Sequence, residues 1–299
     1  MSISTYTKKI LFIGGDLRQI HAINKLADKG SFVSVLGFDG EEKNFFSKKI
    51  QILTDFSEAE TSYDAIVLPL PYSTDGKNIN TPFFKGTISV SEVFENFSTK
   101  NRIFAGRCDP KIKAMAESHR IMLVDYLCRE ELAVRNAIPT AEGAIQIAMS
   151  ETPFTVHSSR CLVIGNGRIG KILSKMLFGI GGKVTVAARK KGDLAYASAM
   201  GYDTVSVYSL DDVIDTFDII FNTAPSLILD FDLLAKVKKN VLIIDLASKP
   251  GGVDFDEARR LGIKVIWALS LPGKVAAETA GDIICSTILN ILDEMEVKQ

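Results

Sequence analysis

Short runs of β-branched and other apolar residues alternate along the first half of the chain with longer stretches in which apolar residues recur at helical spacing. Each run is followed by a turn and then by a stretch of the second kind, a pattern typical of a parallel α/β sheet. The strands predicted in this half are residues 10–13, 32–36, 65–68, 102–105 and 122–124.

The same alternation restarts after Pro153 and continues almost to the C-terminus. The strands predicted in this half are residues 160–164, 183–187, 218–222, 241–245 and 264–268. Two separate sets of strands and helices predict an α/β fold with two Rossmann-like, doubly wound parallel-sheet domains and a cleft between them.

A helix start is predicted between the two halves. Pro139 and Thr140 precede an apolar run at residues 141–149. Thr140 can cap such a helix, and Glu142 suits the positively polarised first turn.

We therefore expect a first domain at residues 1–140 and a second domain at residues 141–275. Residues 276–299 contain a further helical pattern with no strand after it. We assign this last helix to the first domain, on which it is expected to pack.

Composition excludes several classes of function. Apolar residues make up 46% of the 299 residues, and the formal net charge is -1. Because Lys and Arg are spread along the chain, no basic stripe is available for nucleic-acid phosphates or an anionic membrane surface. No apolar run approaches the ~20 residues of a membrane span, and the run after Lys9 is too short for a signal peptide. We expect a cytoplasmic protein with neither nucleic acid nor membrane as a partner.

The cysteines are scattered at positions 108, 128, 161 and 285. They form no C-x-x-C pair and have no histidine at metal-ligand spacing, which predicts reduced thiols and no metal site.

Residues 161–171 have the order strand, G-x-G-x-x-G, helix, and a second strand is predicted at 183–187. In such a loop Gly165 permits the tight turn, Gly167 lets backbone N–H groups approach a pyrophosphate, and Gly170 allows close helix packing. The alternative is a Rossmann fold that serves only as a scaffold. The residues assigned to the cofactor here are Gly165, Asn166, Gly167, Arg168, Ile169 and Gly170.

The residues at the end of the second strand indicate which of the two nicotinamide cofactors binds, because an acid there binds a free ribose 2′-hydroxyl and repels a 2′-phosphate. Here the strand is followed by Arg189, Lys190 and Lys191. A guanidinium can pair with phosphate through its planar fork, and an ammonium adds point charge. The turn predicts NADP, unless it is only a solvated basic turn.

A similar turn in the first half, at residues 13–19, contains Gly14 and Gly15, and Asp39 lies where a ribose-binding acid is expected. It lacks a third glycine, and Asp16 places negative charge where a pyrophosphate needs positive potential. We interpret this turn as facing the substrate and not a second dinucleotide.

An ordered set of motifs resembles the family of the dipicolinate synthase A subunit over nearly the whole chain. The motifs are IGGDLRQ at 13–19, IPTAEGA at 138–144, NTAPS at 222–226, DLASKPGG at 245–252 and LPGKVA at 271–276. The loop at 104–109 departs from the family pattern, so the resemblance supports no role for Arg107.

The resemblance implies an oxidoreductase of sporulating bacteria that acts in the mother-cell cytoplasm with a flavoprotein-like B subunit. It implies oxidation of dihydrodipicolinate, or of its hydroxylated tetrahydro precursor from the lysine pathway, to the pyridine dicarboxylate with NADP. The first domain is then the substrate side, and a homo-oligomer is expected.

A small dicarboxylate substrate needs cationic or N–H donors, which an open α/β sheet presents at the carboxyl ends of its strands. In the first domain Arg18, beside the backbone of Gly15, is our first choice for one carboxylate; its alternative role is a structural pair with Asp16. Ser73 and Thr74 can donate to the other carboxylate, unless they only cap a turn.

In the second domain the strand ends after residues 222, 245 and 268 are expected to run beside the cofactor. Lys249 can bind a carboxylate, or act as a base if it is buried, and it can also be a plain surface lysine. Glu142 is the other acid–base candidate, unless it only stabilises its helix. The further cofactor-binding residues assigned here are Thr223, Ala224, Pro225, Ala247, Ser248 and Gly273.

Two other functions remain open. A dehydrogenase of the 2-hydroxyacid or alanine type shares this organisation, but no histidine follows the last strand, where hydroxyacid dehydrogenases carry theirs. A non-enzymatic NADP-binding subunit is the other alternative.

Overall fold

The computed structural model describes residues 7–97 and 101–297. The chain divides into two compact units. The first contains the residues up to Ala133 together with those from Ala276 onwards, and the second is Val134–Val275. Each unit holds one six-stranded sheet in which every strand pair is parallel.

The first sheet has the strand order β3-β2-β1-β4-β5-β6. Its strands are β1 Lys9–Ile13, β2 Phe32–Leu36, β3 Gln51–Ile52, β4 Ala65–Val67, β5 Arg102–Ala105 and β6 Met122–Asp125. Its helices are α1 Leu17–Asp28, α2 Val90–Asn96 and α3 Pro110–Ser118, with α10 Ala277–Val297 from the end of the chain. The sequence did not predict β3, which is two residues long and exposed on both.

Helix α1 is fixed at its start and along its buried face. Asp16 caps it by accepting a hydrogen bond from the Arg18 N–H, and the Gln19 side chain accepts the Asp16 N–H, which completes a capping box. Helix α10 packs on α1 so closely that a Cβ at Gly281 would lie 2.6 Å from the Arg18 carbonyl oxygen. Of the expected helix at 276–299, residues 298 and 299 lie outside the described residues.

The second sheet has the strand order β12-β11-β10-β7-β8-β9. Its strands are β7 Arg160–Ile164, β8 Lys183–Ala188, β9 Asp203–Ser206, β10 Ile219–Asn222, β11 Leu242–Asp245 and β12 Lys264–Trp267. Its helices are α5 Arg168–Gly179, α6 Lys191–Ala199, α7 Phe231–Leu234, α8 Phe255–Arg260 and α9 Leu271–Val275. In both sheets the strand order, counted within the unit, is 3-2-1-4-5-6, which confirms two Rossmann-like doubly wound sheets.

The predicted helix start at Thr140 is wrong. A single helix, α4, runs over Glu130–Glu151 with Pro139 inside it. Thr140 does not cap this helix; its hydroxyl donates to the Asn136 carbonyl one turn back, over 2.8 Å. The proline removes one backbone hydrogen bond, but the helix continues because Ala137 and Ala141, on either side of it, are buried. Glu142 therefore lies in the middle of a helix and not in a first turn.

None of the helices within residues 7–97 and 101–297 combines the length and hydropathy needed to cross a bilayer. Nowhere in that part of the chain do three or more His, Cys, Asp or Glu side chains come together as potential metal ligands.

Candidate functional site

The strand order of the second sheet reverses between β7 and β10, and open α/β sheets bind ligands beyond the carboxyl ends of the strands at such a point. The glycine loop follows β7, and Thr223 follows β10. The Thr223 backbone N–H and hydroxyl both donate to the Ile164 carbonyl, each over 2.9 Å. The two loops are therefore joined directly at the switch point.

The three glycines of this loop have different surroundings. Gly165 has φ +101°, and a Cβ there would lie 2.5 Å from the Thr223 hydroxyl. A Cβ at Gly170 would overlap the Gly165 carbonyl oxygen, whereas a Cβ at Gly167 would meet nothing within 4 Å. Two glycines are thus required by the fold of the loop, and the third leaves space open in front of it.

The N-terminus of α5 is suited to an anion. Gly167 is its N-cap residue and provides no side-chain hydrogen bond, so the first-turn N–H groups are not capped by a side chain. The helix has 12 residues, and its dipole adds partial positive charge at this end. The open space at Gly167 and this uncapped helix end fit the pyrophosphate of a dinucleotide.

A cavity of about 120 Å³ adjoins the loop at the end of β8. Arg189 and Lys190 border it, and both are exposed. Buried Asn166 also borders it; its side chain donates to the Asp193 carbonyl over 3.0 Å and ties the loop to α6. The other lining residues are Ile164, Gly165, Ala187, Ala188, Asp193, Val207, Ala224 and Ile228.

Asn222 and Asp245 form a wholly buried pair at the ends of β10 and β11. The Asn222 Nδ2 donates to Asp245 Oδ1 over 2.8 Å and to the Ala224 carbonyl over 3.0 Å. The same carboxylate accepts the Ala247 N–H over 3.0 Å and the Gly252 N–H over 2.9 Å. One buried network thus fixes both loops expected beside the cofactor.

Neither Asn222 nor Asp245 has a role predicted from the sequence. The available signal was a polar residue at the end of each of two otherwise apolar strands. These two polar residues indicate a hydrogen-bonded pair only once the register of β10 against β11 is known, since that register places Asn222 opposite Asp245.

The acid–base candidates Lys249 and Glu142 are exposed, and so is the cofactor candidate Ser248. Ser248 and Lys249 follow the anchored residue Ala247, and neither is buried, so the burial expected for a lysine base is not present. Glu142 is exposed on α4, beside an apolar groove that Met149 and Met176 also line. Gly273, the last cofactor candidate, lies within α9.

In the first unit, the positions that resemble a dinucleotide site are occupied by the chain itself. The Gly15 N–H donates to the Asn80 carbonyl over 3.0 Å, and a Cβ at Gly14 would lie 2.5 Å from the Thr81 methyl group. The Asp39 carboxylate accepts the Lys85 N–H over 3.1 Å. Residues 79–85 thus cover both the glycine turn and the acid.

The Arg18 guanidinium is buried and already has partners. It donates to the Asp16 carboxylate, with 2.7 Å between Nη2 and Oδ2, and to the Leu70 carbonyl. The Ser73 hydroxyl donates to Asp75 over 3.0 Å and accepts the Gly76 N–H over 2.9 Å, while Thr74 is exposed. This geometry favours the structural alternatives for Arg18 and Ser73, and leaves Thr74 accessible.

The cysteines are free. Burial, followed by the nearby Asp125 carboxylate, raises the pKa of the Cys108 thiol to about 12. Burial also raises the pKa of Cys161 to about 12 and that of Cys285 to about 11. These groups are thiols at neutral pH and are not poised as nucleophiles.

Comparison with known proteins agrees with this geometry. Residues 9–127 match the family model for the N-terminal domain of the dipicolinate synthase A subunit. Residues 126–252 match that of the D-isomer specific 2-hydroxyacid dehydrogenase, NAD binding domain. The second unit thus carries a nicotinamide-binding domain of the dehydrogenase type.

The chain is 32% identical to the dipicolinate synthase A subunit of Bacillus subtilis (strain 168), over 97% of this chain and 98% of the relative. The crystal structure of the dipicolinate synthase A chain from Bacillus subtilis has a TM-score of 0.89 at 31% identity and covers 98% of both chains. That of the A subunit from Bacillus halodurans has a TM-score of 0.88 at 30% identity and covers 95% of this chain and 97% of its own. The chain therefore belongs to the family of the dipicolinate synthase A subunit.

Proposed function

We propose that the chain oxidises dihydrodipicolinate, or its hydroxylated tetrahydro precursor, to pyridine-2,6-dicarboxylate with NADP. The dihydro compound loses two hydrogens in this reaction, and the hydroxylated precursor loses a water as well. Membership of the dipicolinate synthase family supports the substrate, and the dehydrogenase-type domain supports the reaction class. The process would be the sporulation branch of the lysine pathway, in the mother-cell cytoplasm.

The basic turn after β8 is the observation that supports NADP over NAD. Arg189 and Lys190 border the cavity, and the strand itself ends on Ala188 with no acid. One acid, Asp193, does line this cavity, but it belongs to the first turn of α6 and not to the end of the strand. Its backbone carbonyl accepts a hydrogen bond from the Asn166 side chain. A guanidinium at the strand end would pair with a 2′-phosphate through two N–H groups.

Different residues of the second unit would bind different parts of the cofactor. The first turn of α5 would hold the pyrophosphate, and the Asn222–Asp245 pair would keep the loops after β10 and β11 in place. When bound, the nicotinamide supplies the acceptor for two electrons and one proton. The chain's main contribution is position, since reacting atoms must be held roughly 3–3.5 Å apart.

Proton transfer and substrate binding are proposed for side chains that solvent reaches. Lys249 lies within the loop that Asp245 anchors through the Ala247 and Gly252 N–H groups. Because this lysine is exposed, we assign it to a substrate carboxylate, and we assign proton transfer to Glu142. Thr74 would donate a hydrogen bond to the substrate. The partners proposed are a flavoprotein-like B subunit of dipicolinate synthase and further copies of this chain.

One assay tests the proposal. The product of dihydrodipicolinate synthase is given with NADP to the purified chain, alone and together with the B subunit, and NADPH absorbance and the pyridine dicarboxylate are followed together. We expect both to rise at equal rates. Parallel reactions of NADP with alanine and with 2-hydroxyacids test the dehydrogenase alternative.

The outcomes separate the alternatives. Turnover of a 2-hydroxyacid or of alanine, but not of the dihydrodipicolinate, would favour the other dehydrogenase class. Binding of NADP without turnover, even in the presence of the B subunit, would favour a non-enzymatic role.

A further inference from the structure

The turn after β5 holds Arg107 in an unusual backbone conformation. Its φ is +67°, in the left-handed region that non-glycine residues rarely occupy. Within the described part of the chain, the other non-glycine residues with positive φ are Arg120, Ser158 and Ser270. Such a conformation persists only where the surroundings impose it, and it often accompanies a functional side chain.

Arg120 has the same conformation for a reason that does not apply to Arg107. It follows the end of α3, where its N–H donates to the Glu117 carbonyl and the next N–H, of Ile121, donates to the Ala116 carbonyl. These two bonds form a Schellman motif, in which a left-handed residue ends the helix. No helix precedes Arg107, which comes directly after β5 and Gly106.

The turn at Arg107 is instead clamped from both sides. The Arg107 N–H and the Cys108 N–H donate to the two oxygens of Asp125, over 3.2 and 2.8 Å. On the other side, the Gly106 N–H donates to the Pro69 carbonyl and the Gly106 carbonyl accepts the Tyr72 N–H. Neighbouring strand ends thus impose the backbone at this residue, while its own side chain is exposed.

Arg107 also differs from the other arginines near the carboxyl edge of the first sheet. Arg18, after β1, is bound to Asp16, and Arg129, after β6, is bound to Glu131 and Glu294. Among the residues the structure describes, the Arg107 guanidinium has no carboxylate partner. β5 is next to β4, which forms the switch point with β1, so this guanidinium lies at the edge where such sheets bind ligands.

We infer that Arg107 binds one carboxylate of the substrate, the role that the sequence suggests for Arg18. The inference rests on the proposed function for the substrate class, a small planar dicarboxylate. A guanidinium fork binds a carboxylate through two parallel N–H groups, and a clamped backbone limits the motion lost on binding.

The test uses the full chain with NADP, together with the B subunit if turnover requires it. The dissociation constants of pyridine-2,6-dicarboxylate and of pyridine-2-carboxylate are measured by calorimetry for the wild type and for R107G, R107N and R107K. Glycine and asparagine accept the left-handed backbone, so R107G and R107N remove the guanidinium without opposing the turn. R120G is the matched control, because it changes the same residue type in the same conformation at the opposite edge of the sheet.

We expect R107G and R107N to weaken dicarboxylate binding at least about tenfold and to reduce its advantage over the monocarboxylate, with Tm unchanged or higher. In turnover, KM should rise by a similar factor while kcat changes little, and R107K should recover part of the affinity. R120G should keep the wild-type constants.

Wild-type dicarboxylate affinity in R107G and R107N would overturn the inference while leaving the proposed function intact. It would also be overturned if these variants lost NADP binding and Tm together, since the role would then be structural. A wild-type chain that neither binds nor forms the pyridine dicarboxylate would instead refute the proposed function, and this inference with it.

Discussion

Asn222 donates a 2.8 Å hydrogen bond to Asp245 at the ends of two adjacent strands, and neither side chain is exposed. The carboxylate accepts two further backbone N–H groups from the loop that follows it. This network stabilises the fold only while the carboxylate is present to accept all three hydrogen bonds. Each buried donor left without an acceptor costs the full free energy of its desolvation.

We therefore expect Asp245→Ala to lower the free energy of unfolding by about 3 kcal/mol, since it leaves one N–H of the Asn222 amide and two backbone N–H groups without an acceptor. Urea unfolding followed by the fluorescence of Trp267, the chain's single tryptophan, measures this; its indole N–H donates to the Ala247 carbonyl in the same loop. Asp256→Ala is the control, because the side chain of Asp256 is 90% exposed. Equal stability of the two variants would contradict the role of the network.

Gly167→Ala should leave Tm unchanged and weaken both NAD and NADP at least about tenfold, equivalent to about 1.4 kcal/mol. A methyl group there meets no protein atom within 4 Å, so it opposes only a ligand that approaches the loop. Gly179→Ala, at the other end of α5, also meets nothing and serves as the control. Fluorescence titration gives both affinities, and unchanged affinity in Gly167→Ala would show that no pyrophosphate lies there.

Arg189→Ala should weaken NADP by roughly ten- to a hundredfold, because a hydrogen bond to a charged group contributes about 1.5–3 kcal/mol. The affinity for NAD, which has no 2′-phosphate, should change little. Arg259→Ala removes an exposed arginine from α8 and controls for net charge. The same titration compares both cofactors, and an equal loss for NAD and NADP would exclude a phosphate contact.

Asp218 should give the second unit a pH-dependent stability. Burial alone would raise the pKa of this carboxyl, but the Lys238 ammonium at 2.6 Å and the Arg160 N–H at 2.8 Å outweigh it, so the pKa is lowered. A carboxyl with a lowered folded pKa stabilises the fold above its unfolded pKa and loses that contribution as the pH falls through the folded value.

Asp218→Asn should accordingly be less stable than the wild type at pH 7 in urea unfolding. The difference should narrow below the ordinary aspartate pKa of about 4 as the wild-type carboxyl becomes protonated. A difference that stays constant between pH 7 and pH 3 would mean that the carboxylate charge contributes nothing.

The interior strands could be predicted because burial on both faces leaves a continuous apolar run, as at residues 219–221 of β10. The edge strands β3 and β9 could not, since Gln51–Ile52 and Asp203–Ser206 are largely exposed and carry no such run. The false helix start at Thr140 has the opposite cause: a real local signal, proline followed by threonine, is overridden by packing on both sides.

The glycine loop could be predicted because its chemistry lies within a few consecutive residues. The pairing of Arg18 with Leu70 and of Gly15 with Asn80 could not, since Leu70 and Asn80 approach them only after the chain has crossed further strands. Spacing along the sequence carries no information on such contacts.

Residues 79–85 act on the first sheet as a ligand that is covalently attached. A tethered segment has an effective concentration of about millimolar at its own binding surface. A free nucleotide would therefore have to compete with a segment that cannot dissociate from the protein. The two sheets share one strand order, yet only the second leaves its glycine loop open to an exchangeable molecule. A saturating NADP titration should therefore end at one equivalent per chain, and adenine nucleotide analogues should compete at that single site.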